Sequence, residues 1–218
     1  DLKDELSGEY VFIHQHAEEY VPGGAKSMIE DGCLDGVDVI FGTHLWSTEP
    51  VGQISFRTGP IMAAADRFSI TINGKGGHGA YPHAAKDPIV AASQLVLNLQ
   101  QIVSRFIDPI QSAVVTIGQI NGGHAFNVIL DKVELTGTVR TFNEEVRNQI
   151  EQFIEKMIKG TCLTNDCTYD YHYFRGYPPV VNHKEETEFL AKCAGNVPGV
   201  TNVIECEKRM VGEDFAYY

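Results

Sequence analysis

Asp66-Arg67-Phe68-Ser69-Ile70-Thr71-Ile72-Asn73 sets Phe68, Ile70 and Ile72 on one side of the chain and Arg67, Ser69 and Thr71 on the other. That period of two belongs to a strand with one buried face. A glycine-rich loop follows, Gly74-Lys75-Gly76-Gly77-His78-Gly79. Asp87-Pro88 then opens a helix, with Asp as N-cap and Pro at the first helical position. Ile89, Ala92, Val96, Leu99, Val103 and Phe106 recur at helical spacing, so a long amphipathic helix is predicted, stopping near Asp108-Pro109. Two strands come next, Ala113 to Ile120 and Val128 to Phe142, the second alternating Val133, Leu135, Gly137 and Val139. Asn143 caps a second helix with the stripe Val146, Ile150, Phe153, Ile154, Met157 and Ile158, and Lys159-Gly160 reads as its end. Thr168 to Phe174 alternates tyrosines with polar residues, a last strand.

Strand, helix, strand, strand, helix, strand is the order of a ferredoxin-like split βαβ unit. It covers about residues 66–176 and closes at Gly176-Tyr177-Pro178-Pro179. The flanks read differently. Upstream, the apolar strand Tyr10-Val11-Phe12-Ile13 runs into His14-Gln15-His16-Ala17-Glu18-Glu19. Gly23-Gly24 opens a helix from Ala25 to Asp31, closed by Gly32, and a second apolar strand runs from Val37 to His44. Val51 to Arg57 is a further strand, so the style is α/β with a parallel pair. Downstream, Asn182 precedes a helix from Lys184 to Ala194, with Glu185 placed for a capping box. A strand around Val200 to Cys206 and a helix start at Gly212-Glu213-Asp214-Phe215 follow. The expected architecture is therefore a discontinuous α/β domain, 1–65 and 179–218, interrupted by the 66–178 unit.

Composition narrows the function. The chain has 218 residues and a net charge of −12, from 17 Lys+Arg against 29 Asp+Glu. A nucleic-acid footprint would be a basic patch, and anionic membranes recruit polybasic segments, so both are expected to be absent. No run of apolar residues is long enough to span a bilayer. Five cysteines, an odd number without a C-x-x-C pair, read as packing residues of a reduced, cytoplasmic protein. Asp1-Leu2-Lys3-Asp4-Glu5-Leu6 has neither Met nor the form of a signal peptide; it reads like the middle of a helix, and the chain is expected to be an internal fragment.

Two strand ends thus deliver chemistry: Glu18-Glu19 after one, His44 at the end of the next. Imidazole beside carboxylates is a donor set for a divalent metal and a base to activate water. In open α/β sheets the ligand site lies at such strand ends. Adjacent glutamates alone are common on solvated helix starts, and a lone histidine is usually a hydrogen-bonded core residue; the pairing carries the reading.

Gln15-His16-Ala17-Glu18-Glu19 followed by Gly23-Gly24-Ala25-Lys26-Ser27-Met28-Ile29 resembles the glutamate-pair motif of the aminoacylase, hippurate hydrolase and auxin-conjugate amidohydrolase family of metallopeptidases. Gly42-Thr43-His44-Leu45-Trp46 resembles its next metal-ligand motif. Gly74-Lys75-Gly76-Gly77-His78-Gly79-Ala80-Tyr81-Pro82-His83 is similar to the opening of its inserted lid, or dimerisation, domain. Gly137-Thr138-Val139-Arg140-Thr141-Phe142 and Gly212-Glu213-Asp214-Phe215-Ala216-Tyr217-Tyr218 also match. The resemblance implies a zinc-peptidase-like catalytic domain with a ferredoxin-like dimerisation domain, a homodimer, and two divalent metals per full-length subunit: manganese, zinc, cobalt or nickel. It implies that Glu18 is the general base, Glu19 and His44 bind metal, His78 supports the substrate carbonyl, and Asn127 and Arg140 contact substrate, Arg140 gripping the amino-acid carboxylate. Glu213 lies near the site in the family. The implied reaction is hydrolysis of the amide bond of N-acyl amino acids or small peptide-like substrates.

The sequence also departs from the family. Its upstream His-x-Cys-Gly-His-Asp motif and its final histidine ligand are not found, and His16 replaces a proline. With Glu19 and His44 alone the site is expected to be too sparse for two metals, and the fragment itself inactive and metal-free. His14, His16 and Cys33 could substitute as ligands; His124, His172 and His183 read as structural or surface residues. Two other readings stand beside the first: an N-acetyl-diaminopimelate deacetylase, and, in a different class, a non-catalytic oligomerisation fragment.

Overall fold

The computed structural model describes residues 6–218, so the helical reading of the first five residues lies outside the described residues. The centre of the fold is a four-stranded antiparallel sheet. Its members are β3 (Ala64–Asn73), β5 (Ala113–Asn121), β7 (Lys132–Thr141) and β8 (Thr168–Phe174), in the order β5-β7-β3-β8. Helices α2 (Pro88–Gln101) and α3 (Glu144–Thr164) cover one face. The alternation in β3 holds: Phe68, Ile70 and Ile72 are buried and face both helices. Phe68 lies opposite Gly137 on β7 and Tyr173 on β8. Any side chain at Gly137 would overlap the Phe68 ring and the Thr116 carbonyl, so glycine there admits the large core residue.

Asp87 caps α2 as expected, its carboxylate accepting from Ile89 N at 2.9 Å. The buried stripe is Ala91, Ala92, Leu95, Leu99 and Ile102, whereas Ile89 and Phe106 are exposed. Ala92 and Leu99 of the expected stripe lie in the core and Val96 and Val103 pack against it; its two ends, Ile89 and Phe106, fall on the outer face, where periodicity alone does not choose. A π-helical turn, Ile102–Phe106, ends this helix before Asp108. Asn143 caps α3 by accepting from Val146 N at 2.8 Å. Gly160 does not end α3; the helix runs to Thr164. Thr161 and Cys162 are buried in the turn beyond it. That burial outweighs the cost of about 1 kcal/mol for glycine in a helix. The true end is a left-handed residue, Asp166 at φ 51°, with Cys167 N donating to Cys162 O at 3.0 Å.

Around this unit lie short ladders. β1 (Gln53–Phe56) pairs in parallel with β10 (Asn202–Glu205), and β2 (Gly59–Met62) pairs antiparallel with β9 (Val180–Asn182). β4 (Gly77–His78) pairs with β6 (Val128–Ile129). α1 is Ala25–Glu30 and α4 is Lys184–Ala194. Several expectations need correction. Tyr10–Ile13 and Val37–His44 form no strands: no neighbour completes a ladder among the described residues, and Val11, Phe12, Val39 and Phe41 are exposed. The parallel pair is β1 with β10 instead. α4 has no capping box, because His183 occupies the N-cap and Asn182 instead donates to Arg57 O at 3.0 Å. Residues 214–217 form a 3₁₀ turn. Cys193 is exposed rather than packed, and all five cysteines are free thiols. No described helix is long and apolar enough to cross a membrane.

Where the four-stranded unit meets the flanks, a buried ion pair organises the chain. Asp66 and Arg147 are 2% and 4% exposed. Arg147 donates to Asp66 through Nε at 2.8 Å and Nη2 at 2.6 Å. Asp66 also accepts from Tyr173 OH at 2.8 Å and Gly176 N at 3.0 Å. A buried pair is tolerable only when its remaining lone pairs and protons are satisfied, as they are here.

Candidate active site

Gln15 to Gly24 carries the glutamate pair on a loop without ladder hydrogen bonds. Its shape comes from tight turns, Tyr20 N to Ala17 O at 3.1 Å and Gly23 N to Tyr20 O at 2.8 Å. From the far end of the sequence Asp214, fully buried, closes the loop. Its oxygens accept from Gln15 Nε2 at 2.7 and 2.8 Å and from Ala25 N at 3.1 Å. Gln15 Oε1 accepts from Tyr218 OH at 2.8 Å. Gly23 sits at φ 82°, and a Cβ there would overlap the Asp214 carboxylate. The glycine is thus required twice, for its backbone and for the close approach.

Oxygens of Glu18, Glu213 and Asp214 lie within 4.8 Å of one another. Glu18 is half-buried, and burial first, then the charges of Glu213, Glu19 and Asp214, raises its carboxyl above the ordinary glutamate value. Burial likewise raises Glu213. His44 comes in from the other loop, with Nε2 3.9 Å from Glu213 Oε2. Its Nδ1 lies 2.6 Å from the Leu45 carbonyl, which only a protonated Nδ1 can satisfy. Nε2 is left on the side of the carboxylates, so in the neutral ring its lone pair faces them, the arrangement seen in metal-binding histidines. Behind it, the Trp46 ring is 5.2 Å away, and Arg209 stacks on that ring at 4.2 Å.

These donors fit a divalent cation. Crowded carboxylates with raised affinity for protons, and an imidazole whose tautomer is fixed, are both relieved by a positive ion. Asp214 is the exception, since its oxygens are already engaged. Glu19 is exposed and stands outside the cluster, as do His14, His16 and Cys33 among the described residues.

The second group of expected residues is elsewhere. Gly79 N donates to Asn127 O at 2.8 Å, so the pairing of β4 with β6 brings His78 and Asn127 together, both exposed. His78 Nδ1 accepts from Ala80 N at 3.1 Å, which places the proton of the neutral ring on Nε2. Arg140 is half-buried on β7, donating to Val139 O at 3.0 Å and to Thr138 Oγ1, and burial lowers its pKa. Among the described residues, no hydrogen bond or ion pair joins His78, Asn127 or Arg140 to Glu18 or His44. His124, His172 and His183 are exposed.

The profile of peptidase family M20/M25/M40 matches residues 1–218. The chain belongs to this family. It is 56% identical over 216 residues to the Bacillus subtilis (strain 168) protein YhaA, covering 99% of this chain and 54% of that one. It is 48% identical over 184 residues to N-acyl-L-amino acid amidohydrolase of Geobacillus stearothermophilus, covering 84% and 50%. The crystal structure of the Bacillus subtilis YXEP protein, described as a dinuclear metal binding peptidase from the M20 family, superposes with a TM-score of 0.76 at 34% identity, over 94% of this chain and 51% of that one. The chain spans about half the length of the curated relatives it matches.

The sequence set the glutamate pair and His44 at neighbouring segment ends, and the family resemblance put Glu213 near them; the structure brings Glu18 beside Glu213 and Glu213 beside His44 and leaves Glu19 outside. Sequence reasoning missed Asp214 and Gln15 as the clamp on the loop. The visible signal was Gly23-Gly24, since a glycine pair after acidic residues marks a backbone that must make a close approach.

Proposed function

We propose that the full-length protein containing this chain is a metal-dependent hydrolase of the amide bond in N-acyl amino acids and small peptide-like substrates. The observation that carries this reading is the meeting of Glu18 and Glu213 carboxylates within 4.8 Å, with His44 Nε2 3.9 Å from Glu213. Glu18 acts as general base and acid: its raised carboxyl takes a proton from the attacking water and returns it to the leaving amine. His44 and Glu19 would hold metal: Glu213 lies beside His44, whereas Glu19, outside the carboxylate cluster, is assigned by its place in the glutamate-pair motif. When bound, the metal supplies Lewis acidity toward the amide carbonyl and lowers the pKa of water.

Residues 66–178 serve in this reading as an inserted ferredoxin-like lid and dimerisation domain, and 1–65 with 179–218 as the catalytic domain. His78 presents an Nε2–H donor on an exposed loop, suited to an oxyanion developing on the carbonyl. Asn127 lies beside it, and Arg140 offers its guanidinium to the substrate carboxylate. The name of the Geobacillus relative supports the substrate class.

The test is hydrolysis of hippurate and a panel of N-acetyl amino acids by the full reading frame, supplied with manganese, zinc, cobalt or nickel. Turnover that a chelator abolishes and metal restores is expected. Turnover unchanged after exhaustive chelation, or none on any member of the panel, contradicts the proposal.

A further inference from the structure

Tyr177 lies in Gly176-Tyr177-Pro178-Pro179, a stretch that reads in sequence only as a linker. In the structure its side chain is 5% exposed and meets Tyr217 edge-on at 6.1 Å between ring centres. Its hydroxyl donates to the main-chain carbonyl of Glu18 at 2.6 Å. The hydroxyl is not poised to ionise, since burial, followed by the nearby carboxylates of Asp214 and Glu18, pushes it up to about 12. It is a fixed donor.

The arm that carries this donor is anchored at its root. Tyr177 O accepts from Ala65 N at 3.0 Å. Gly176 N donates to Asp66 at 3.0 Å, and Gly176 O accepts from Arg147 Nη2 at 3.1 Å. The buried Asp66–Arg147 pair thus sets the backbone from which the tyrosine projects. The loop at its other end needs such a support. Glu18 sits on a segment without a ladder, next to Ala17 at φ 58°. Its carboxylate faces Glu213 and Asp214, whose like charge favours swinging it away. Asp214 holds the loop at Gln15 and Ala25, on either side of the pair, whereas Tyr177 holds Glu18 itself.

We propose that Tyr177 is a positioning residue for Glu18: its hydroxyl fixes the main chain from which the base projects and ties that base to the root of the four-stranded unit. This rests on the reading of Glu18 as the general base. The competing account is that Tyr177 only packs the linker.

The experiment uses the full reading frame, metal-loaded, with Tyr177→Phe, Glu18→Gln and the double variant. A misplaced base slows chemistry more than binding, so Tyr177→Phe is expected to lower kcat by about tenfold or more with KM within about threefold. Metal content and the thermal midpoint should stay near wild type. Because Tyr177 acts through Glu18, the double variant should turn over no more slowly than Glu18→Gln alone. Wild-type kcat in Tyr177→Phe overturns the proposal. So does a double variant about tenfold slower than Glu18→Gln, or a fall in thermal midpoint with kcat and KM both degraded, which is what a packing role gives. Wild-type turnover in Glu18→Gln is a different failure: it removes the base assignment itself, and the positioning role with it.

Discussion

Asp66→Asn is close to isosteric, so it removes a charge without opening a cavity. In the native chain that carboxylate accepts four hydrogen bonds, two from Arg147, one from Tyr173 and one from Gly176. After substitution, a guanidinium only 5% exposed in its side chain faces a neutral amide, and one of its donors meets an NH₂ group. Breaking a buried pair from one side costs about 3–5 kcal/mol. Arg147 keeps Glu144, at 2.7 Å, as a second partner, so the low end applies, about 3 kcal/mol. For a chain of 218 residues this corresponds to a fall in thermal midpoint of roughly 6–12 °C. The assay is urea unfolding of the purified chain by far-UV circular dichroism, reading the midpoint at constant slope. Glu144→Gln is the control, because its half-exposed pair with Arg147 should contribute less than about 1 kcal/mol. A loss below about 1 kcal/mol in Asp66→Asn would show that the pair behaves like a surface contact and does not organise the junction.

Gly137→Ala should destabilise the chain by roughly 1–3 kcal/mol in the same urea assay, because the new methyl overlaps Phe68 and the Thr116 carbonyl; a neutral result would mean the two strands are farther apart than described. Gly23→Ala adds positive-φ strain and a clash with Asp214, so amide exchange in residues 15–25 should accelerate ahead of the rest of the chain. The carboxyls of Glu18 and Glu213 are raised above 4.5, chiefly by burial. Such groups hold protons more tightly folded than unfolded, so their contribution to stability is fullest below 4.5 and is lost as pH rises through the raised values. Thermal midpoints of the metal-free chain against pH should therefore fall less steeply above 4.5 in Glu213→Gln than in wild type. If His78 serves the partner subunit's site, mixing inactive full-length His78→Ala and Glu18→Ala proteins should restore activity as mixed dimers form; mixed dimers verified by mass but without activity would place His78 in its own subunit's site or outside catalysis.

The four-stranded unit was legible because its signals are local. Phe68, Ile70 and Ile72 alternate, Asp87 and Asn143 sit at helix starts with an acceptor to offer, and the tyrosines of β8 share one face. What local pattern could not give was the exit from α3, since Gly160 looks like a stop until the burial of Thr161 and Cys162 is known. The strands read at Tyr10–Ile13 and Val37–His44 failed for a related reason. An apolar run states what can be buried, whereas a strand also needs a neighbour to receive its hydrogen bonds. At the site, Glu18, Glu19 and His44 were visible as motifs. Asp214 and Tyr177 act on the glutamate loop across most of the chain: Asp214 lies in the matched Gly212–Tyr218 motif, but its hold on Gln15 and Ala25, like the reach of Tyr177 to Glu18, has no local signal in sequence.

In the proposed mechanism Glu18 moves protons while Glu19 holds metal. Metal content beside kcat for Glu18→Gln and Glu19→Gln in the full reading frame, by elemental analysis and N-acetyl amino acid hydrolysis, separates the two roles. Glu18→Gln should keep its metal and lose nearly all turnover, and Glu19→Gln should lose metal. A Glu18→Gln protein stripped of metal beside a Glu19→Gln protein that retains it would reverse the two roles and contradict the account.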